Sequence, residues 1–159
     1  MVAGTGGGEA DRVDRGGDRG HRDRAENILP TSATDRLMSV EGSTLQVLAR
    51  APLVFLTTIG RTTGRPRTVE LWFTYHQGLL YLLGHADAHW VRNLTANPRV
   101  SVEIDDTSFA GTAAFDDENR AMAYRLFEAK YGGQQIAYWY RGRREDRRTV
   151  AITPVMTGH

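Results

Sequence analysis

Between residues 53 and 115 the chain is divided into short apolar runs, several of period two, and two pairs of them are joined by links of only two or three residues. Links that short return the chain alongside itself, because a parallel pair needs a crossover of about a dozen residues or more. Residues 53–59 form a β-branched apolar run, and 68–75 a second. His76-Gln77-Gly78 is a hairpin turn into a third, 79–83. Val100, Val102 and Ile104 alternate as a fourth strand, Asp105-Asp106 turns the chain, and Phe109, Gly111, Ala113 and Phe115 alternate as a fifth. A sixth covers 150–155. Strands of this kind, with few helices between them, predict a mainly β domain with flanking helices (α+β): a six-stranded antiparallel barrel closed to remove its edges. A doubly wound α/β sheet does not fit, since the strands do not alternate with helical crossovers.

Helices fill the gaps. Leu37, Val40, Leu45 and Leu48 have a loose helical spacing within 34–49, ending before Pro52. Asp87 is placed to cap a helix carrying Trp90, Val91 and Leu94, which Asn97-Pro98 stops. Asp116 or Asp117 is placed to cap a stronger helix, with Met122, Leu126 and Ala129 on one side and Ala123 and Phe127 beside them. Residues 1–27 alternate glycine with arginine and carboxylates and hold almost no large apolar side chain. That segment is expected to be disordered, leaving 28–159 as one domain.

Composition narrows the function. A formal net charge of +1 argues against a dedicated nucleic-acid binder. With no cysteine there is no disulfide, thiolate nucleophile or thiolate-held metal. No apolar stretch is long enough to span a membrane, and the N-terminus has no secretory apolar core, so the cytoplasm is the expected compartment.

The strongest chemical feature is Gly60-Arg61-Thr62-Thr63-Gly64-Arg65-Pro66-Arg67-Thr68. Two glycines permit a tight turn and close approach to a ligand. Three arginines and three hydroxyls offer bonds to phosphate oxygens. Without a lysine of the phosphate-loop type, and not opening a helix, it is not a nucleotide triphosphatase loop. On composition alone it could equally be a solvated basic hairpin. Arg99 is expected to begin the fourth strand away from it. His85 and His89, four apart, could share a helical face as in zinc helices, but no third ligand is evident. Trp90, Arg92 and Asn93 follow a loop and could reach a ligand. Tyr138, Trp139 and Tyr140 precede Arg141, Arg143 and Arg144, a pattern suited to a mobile loop over a pocket or to a dimer contact. No serine-nucleophile elbow occurs.

Residues 56–73 (LTTIGRTTGRPRTVELWF), 80–84 (LYLLG), 90–104 (WVRNLTANPRVSVEI) and 109–113 (FAGTA) resemble the deazaflavin-dependent nitroreductase family. That family belongs to the split β-barrel flavin-binding superfamily, with the pyridoxamine-phosphate oxidases. The resemblance covers residues 53–131. It implies an oxidoreductase that passes hydride from reduced coenzyme F420 to a small organic acceptor: a quinone, an enone or a nitro compound. It also implies a homodimer. By position, Arg61, Thr62, Thr63, Arg65 and Arg67 would hold the coenzyme's phosphate and acidic tail. Thr68, Val69, Glu70 and Leu71 would run along the ring, mainly through backbone groups. Gly84, His85 and Ala86 would close the other side, with Trp90 and Asn93 beneath. Many members have lysine-serine where this chain has Thr62-Thr63, and an apolar residue or proline at Glu70. FMN is therefore the alternative cofactor, and a non-enzymatic flavin-binding module the alternative role. No catalytic acid is assigned; Tyr75, Tyr131 and bound water are the candidates.

Overall fold

The structure, a computed structural model, describes residues 38–156. The start of the expected domain at 28, the helical reading of 34–37 and the N-terminal tail lie outside them. In chain order come α1 (Gly42–Leu48), β1 (Val54–Ile59), β2 (Pro66–Leu71), β3 (Thr74–His76), β4 (Leu79–His85), α2 (His89–Ala96), β5 (Arg99–Ile104), β6 (Thr107–Phe115), α3 (Arg120–Tyr131), α4 (Gly133–Trp139) and β7 (Arg147–Pro154). Among the described residues no helix is long and apolar enough to cross a membrane.

Seven strands form one antiparallel sheet in the order β2-β1-β5-β6-β7-β4-β3. The terminal strands β2 and β3 are separated in sequence by Trp72 and Phe73 alone, so the sheet must curl until its two edges meet. That is a split barrel: closed by the chain, with no ladder between β2 and β3 among the described residues. Residues 68–75, expected as one strand, are therefore two strands pairing with opposite edges, β2 with β1 and β3 with β4.

The break has a packing cause. Phe73 is fully buried in the barrel core with Leu56, Val69, Leu82, Val102, Phe109 and Ile152. Its neighbour Trp72 belongs to a second cluster outside the barrel, with Leu83, Ala123, Tyr124, Phe127, Ile136 and Tyr140 under α3 and α4. At the break, the peptide groups of Phe73 bond to side chains, which keeps buried polar groups paired. The Tyr131 hydroxyl accepts from the Phe73 N–H at 3.1 Å and lies 2.8 Å from the Pro52 carbonyl and 3.0 Å from that of Phe73. Lys130 Nζ donates to the same Phe73 carbonyl at 2.9 Å, and the Tyr131 ring stacks on Trp72 at 4.2 Å.

Several local expectations are corrected. Ala88, not Asp87, precedes α2, and no side chain caps it. Asp116 and Asp117 do not cap α3. A short 3₁₀ turn, Asp117–Asn119, intervenes, and Asp117 instead accepts from Arg148 Nε at 2.7 Å and from the Thr149 N–H at 2.9 Å. Burial alone would raise the Asp117 carboxyl; the Thr149 N–H, Arg148 and Arg120 together outweigh it and hold the group below its usual value. The buried face of α3 is Ala123, Tyr124 and Phe127, while Ala129 is exposed. Val40 lies in an isolated bridge to Met156, not in a helix. Tyr138 and Trp139 lie in α4, not in a loop, and Tyr140 after them is buried, packing against Trp72 and Phe127.

Candidate functional site

The β1–β2 connection is a compact turn. The Gly60 N–H donates to the Arg65 carbonyl at 2.7 Å and the Gly64 N–H to the Gly60 carbonyl at 2.8 Å. Gly64 sits at φ 75°, which glycine reaches without a steric cost. A Cβ on Gly60 would lie 2.8 Å from Thr63 Oγ1, the atom that accepts the Arg65 N–H at 3.1 Å. Arg61, Thr62, Thr63 and Arg65 are all exposed.

The turn is fastened to α2 chiefly through Asn93. Asn93 is 2% exposed. Its Oδ1 accepts from the Arg61 N–H at 3.1 Å and from Arg61 Nη1 at 2.7 Å, and its Nδ2 donates to Thr58 Oγ1 at 3.1 Å. Both Arg61 groups can only donate, which fixes the orientation of the amide. Arg61 also reaches the His89 carbonyl at 3.4 Å and His89 Nδ1 at 3.3 Å. α2 in turn closes this end of the barrel, with Trp90, Val91 and Leu94 in the core.

The structure thus brings Arg61 and Asn93 into contact and carries Thr62, Thr63, Arg65 and Arg67 on the same turn or the strand it opens. Val69 and Leu71 are core side chains. Thr68 and Glu70 take the other face of β2, as period two requires, and the Thr68 hydroxyl bonds to that of Thr57 at 2.7 Å. Because β2 ends the sheet, alternate backbone groups along its outer edge have no strand partner among the described residues. Gly84 lies against Trp90: a Cβ there would meet the indole Cζ2 at 2.2 Å. His85 and Ala86 are exposed where β4 leaves the sheet, and the Ala86 N–H donates to the Asp146 carbonyl. Trp90 is fully buried, so it can support a ligand only from below; Arg92 is exposed on α2.

Other expectations change. His85 ends β4 and His89 begins α2, so they do not share a helical face. Among the described residues no group of three or more His, Asp or Glu could hold a metal. Antiparallel pairing of Thr57 with Ser101 carries Arg99 to the same end of the barrel as the turn, not away from it. The Tyr131 hydroxyl is held at the β2–β3 break, where burial raises its pKa well above the usual tyrosine value. Tyr75 is half-buried against the core. Thr58 was not singled out from sequence, and His89 was considered only as a metal ligand; its place beside the turn was legible, standing one helical turn before Asn93.

This donor set suits an anion. Among the described residues neither Arg61 nor Arg65 forms an ion pair with a carboxylate, and the bonds of Arg61 run to an amide, a carbonyl and an imidazole. Exposed hydroxyls flank the guanidinium groups, and beyond Gly64 no described residue comes within 4 Å of where its Cβ would stand. The turn therefore fits the phosphate and acidic tail of a coenzyme such as F420.

A family model described as F420H(2)-dependent quinone reductase matches residues 31–152. Solved structures of similar fold include the heme storage protein HutZ from Vibrio cholerae, at 18% identity and TM-score 0.58 over 72% of this chain and 90% of that one. A putative pyridoxamine 5'-phosphate oxidase from Listeria innocua matches at 18% identity and TM-score 0.55 over 70% and 90%. A structure described as a domain-swapped dimer matches at 24% identity and TM-score 0.50 over 69% and 92%. These likenesses establish the split-barrel fold. The fold by itself does not choose a cofactor.

Proposed function

The chain belongs to the F420H(2)-dependent quinone reductase family, and we propose that it reduces a quinone, or a comparable small organic acceptor, at the expense of reduced F420. When bound, that coenzyme supplies hydride, which together with a proton takes a quinone to its quinol. The observation that carries the reading is the arginine turn, fastened to α2 through Asn93 with the Arg65 guanidinium free of any carboxylate among the described residues.

In this reading the chain binds and positions, and the coenzyme carries the chemistry. Arg61, Arg65 and Arg67, with Thr62 and Thr63, hold the anionic tail. The outer edge of β2, along Thr68, Val69, Glu70 and Leu71, offers backbone donors and acceptors to the ring. Gly84 admits the Trp90 indole beneath, while His85 and Ala86 bound the other side. The proton comes from solvent or from a residue outside this set. We further propose a homodimer, which the dimeric assembly of one similar structure supports.

The test is turnover of reduced F420 with a quinone panel, wild type against Arg65→Ala. A charge-assisted bond is worth roughly 1.5–3 kcal/mol, so Arg65→Ala should weaken coenzyme binding about tenfold to a hundredfold. Arg125→Ala, exposed on α3, should change little. Equal and negligible losses at both positions would return the turn to a solvated basic hairpin.

A further inference from the structure

None of the partners of Arg61 among the described residues is a carboxylate, although one would serve the fold at least as well. At position 93 an aspartate would have the same size and shape as Asn93. It would accept the same two bonds, from the Arg61 N–H and Nη1. Thr58 Oγ1, which now accepts from Nδ2, could rotate its own proton to donate instead. A buried carboxylate on a guanidinium would even be a charge-assisted pair, stronger than the amide bond it replaces. His89, the other side-chain contact of Arg61 at 3.3 Å, opens α2, where an acidic residue is favoured by the helix dipole. Neither position carries the acid that local stability alone would select.

We propose that Asn93 is a charge-neutral positioning residue, which fixes the Arg61 guanidinium against α2 while leaving its positive charge uncancelled for an anionic group of the coenzyme. Asn93 itself is then not a coenzyme ligand: it is 2% exposed, and its amide faces the turn and β1. This rests on the proposed role of the turn in holding the coenzyme's anionic tail. It deepens that role by assigning the lack of a carboxylate beside Arg61 as the feature that sets affinity.

The experiment is an equilibrium titration of the full chain with oxidised F420, at low and high salt, for wild type, Asn93→Asp, Asn93→Ala, His89→Asp and Arg61→Ala, with the melting temperature of each. A residue that only props up the turn would bind better as the shape-conserving Asn93→Asp than as the truncated Asn93→Ala. The charge account gives the reverse order. Asn93→Asp should melt close to wild type yet bind at least ~tenfold more weakly, about 1.4 kcal/mol, and more weakly than Asn93→Ala. Its affinity should also respond less to salt, because one uncompensated charge has been removed. His89→Asp, on the surface and without risk to the fold, should weaken binding in the same sense. If Asn93→Asp binds as well as Asn93→Ala or better, or if His89→Asp binds like wild type, the inference is overturned. Arg61→Ala separates the two layers: wild-type affinity in that variant refutes the role of the turn itself, whereas a loss there with the wrong order at position 93 refutes only the charge argument.

Discussion

Gly84→Ala is expected to damage both the barrel and the site, through a single methyl group. The added carbon would lie 2.2 Å from Cζ2 and 2.9 Å from Cη2 of Trp90, and 2.7 Å from Cγ2 of Val91. Carbon atoms rest at about 3.5–4.0 Å, so the indole must retreat by more than 1 Å. It has nowhere to go, being fully buried in the core beside Leu94 and Val91. Both contacts belong to α2, so the strain is relieved by moving the helix rather than by turning one rotamer. Asn93 stands three residues after Trp90, and its hold on Arg61 at 2.7 Å and on Thr58 at 3.1 Å would lengthen with that movement. Overpacking of a filled core costs typically 1–3 kcal/mol, and two clashing residues on one rigid element put this case at the upper end. For a domain of this size that is a fall in melting temperature of about 10 °C. Coenzyme affinity should drop in parallel. Gly133→Ala, with nothing within 4 Å of its Cβ position, is the control and should be neutral or slightly stabilising. Scanning calorimetry that finds Gly84→Ala within 2 °C of wild type, with unchanged F420 affinity, would refute the claim that α2 is seated by this contact.

Tyr131→Phe keeps the stack on Trp72 but removes the hydroxyl that serves the Phe73 N–H and the Pro52 carbonyl. Chemical denaturation should show a loss of about 1–3 kcal/mol, and an unchanged midpoint would mean the break at residues 72–73 does not need it. Lys130 is the only lysine, so its ammonium can be followed as a single 13Cε resonance. Burial lowers its pKa from 10.5 to about 8. The folded state therefore binds fewer protons than the unfolded one between these values, so stability should rise with pH from about 8 to 10.5. A titration midpoint near 10.5 and a flat stability profile in that window would contradict it. Light scattering at micromolar concentration should report a dimer; a monomer that binds F420 normally would place the whole site within one chain.

Much of this architecture was legible because short turns and period-two runs leave antiparallel pairing as the economical solution. The β1–β2 turn, the stop of α2 at Asn97-Pro98 and the run to Phe115 all emerge where local chemistry dictates them. The break at Trp72-Phe73 was not legible, since both residues suit a strand and only the two separate cores explain why they face opposite ways. α4 was missed because Gly132-Gly133 and the arginines after it read as a loop, although Ile136 and Tyr140 have helical spacing. Asp87, Asp116 and Asp117 were misassigned as caps by a sound local rule, which the approach of β7 to α3 overrode in the case of Asp117. The arginine turn was legible as a tight, glycine-bounded connection rich in exposed donors. Its coupling to α2 was not, because Thr58, Arg61, His89 and Asn93 meet only in three dimensions.

The most direct test of the central claim is a fluorescence titration of the full chain with oxidised F420 and, separately, with FMN, repeated with Arg65→Ala. Saturable F420 binding, tighter than FMN and weakened about tenfold to a hundredfold in the variant, is the expected result. Tighter binding of FMN, or F420 affinity indifferent to Arg65, would contradict the account.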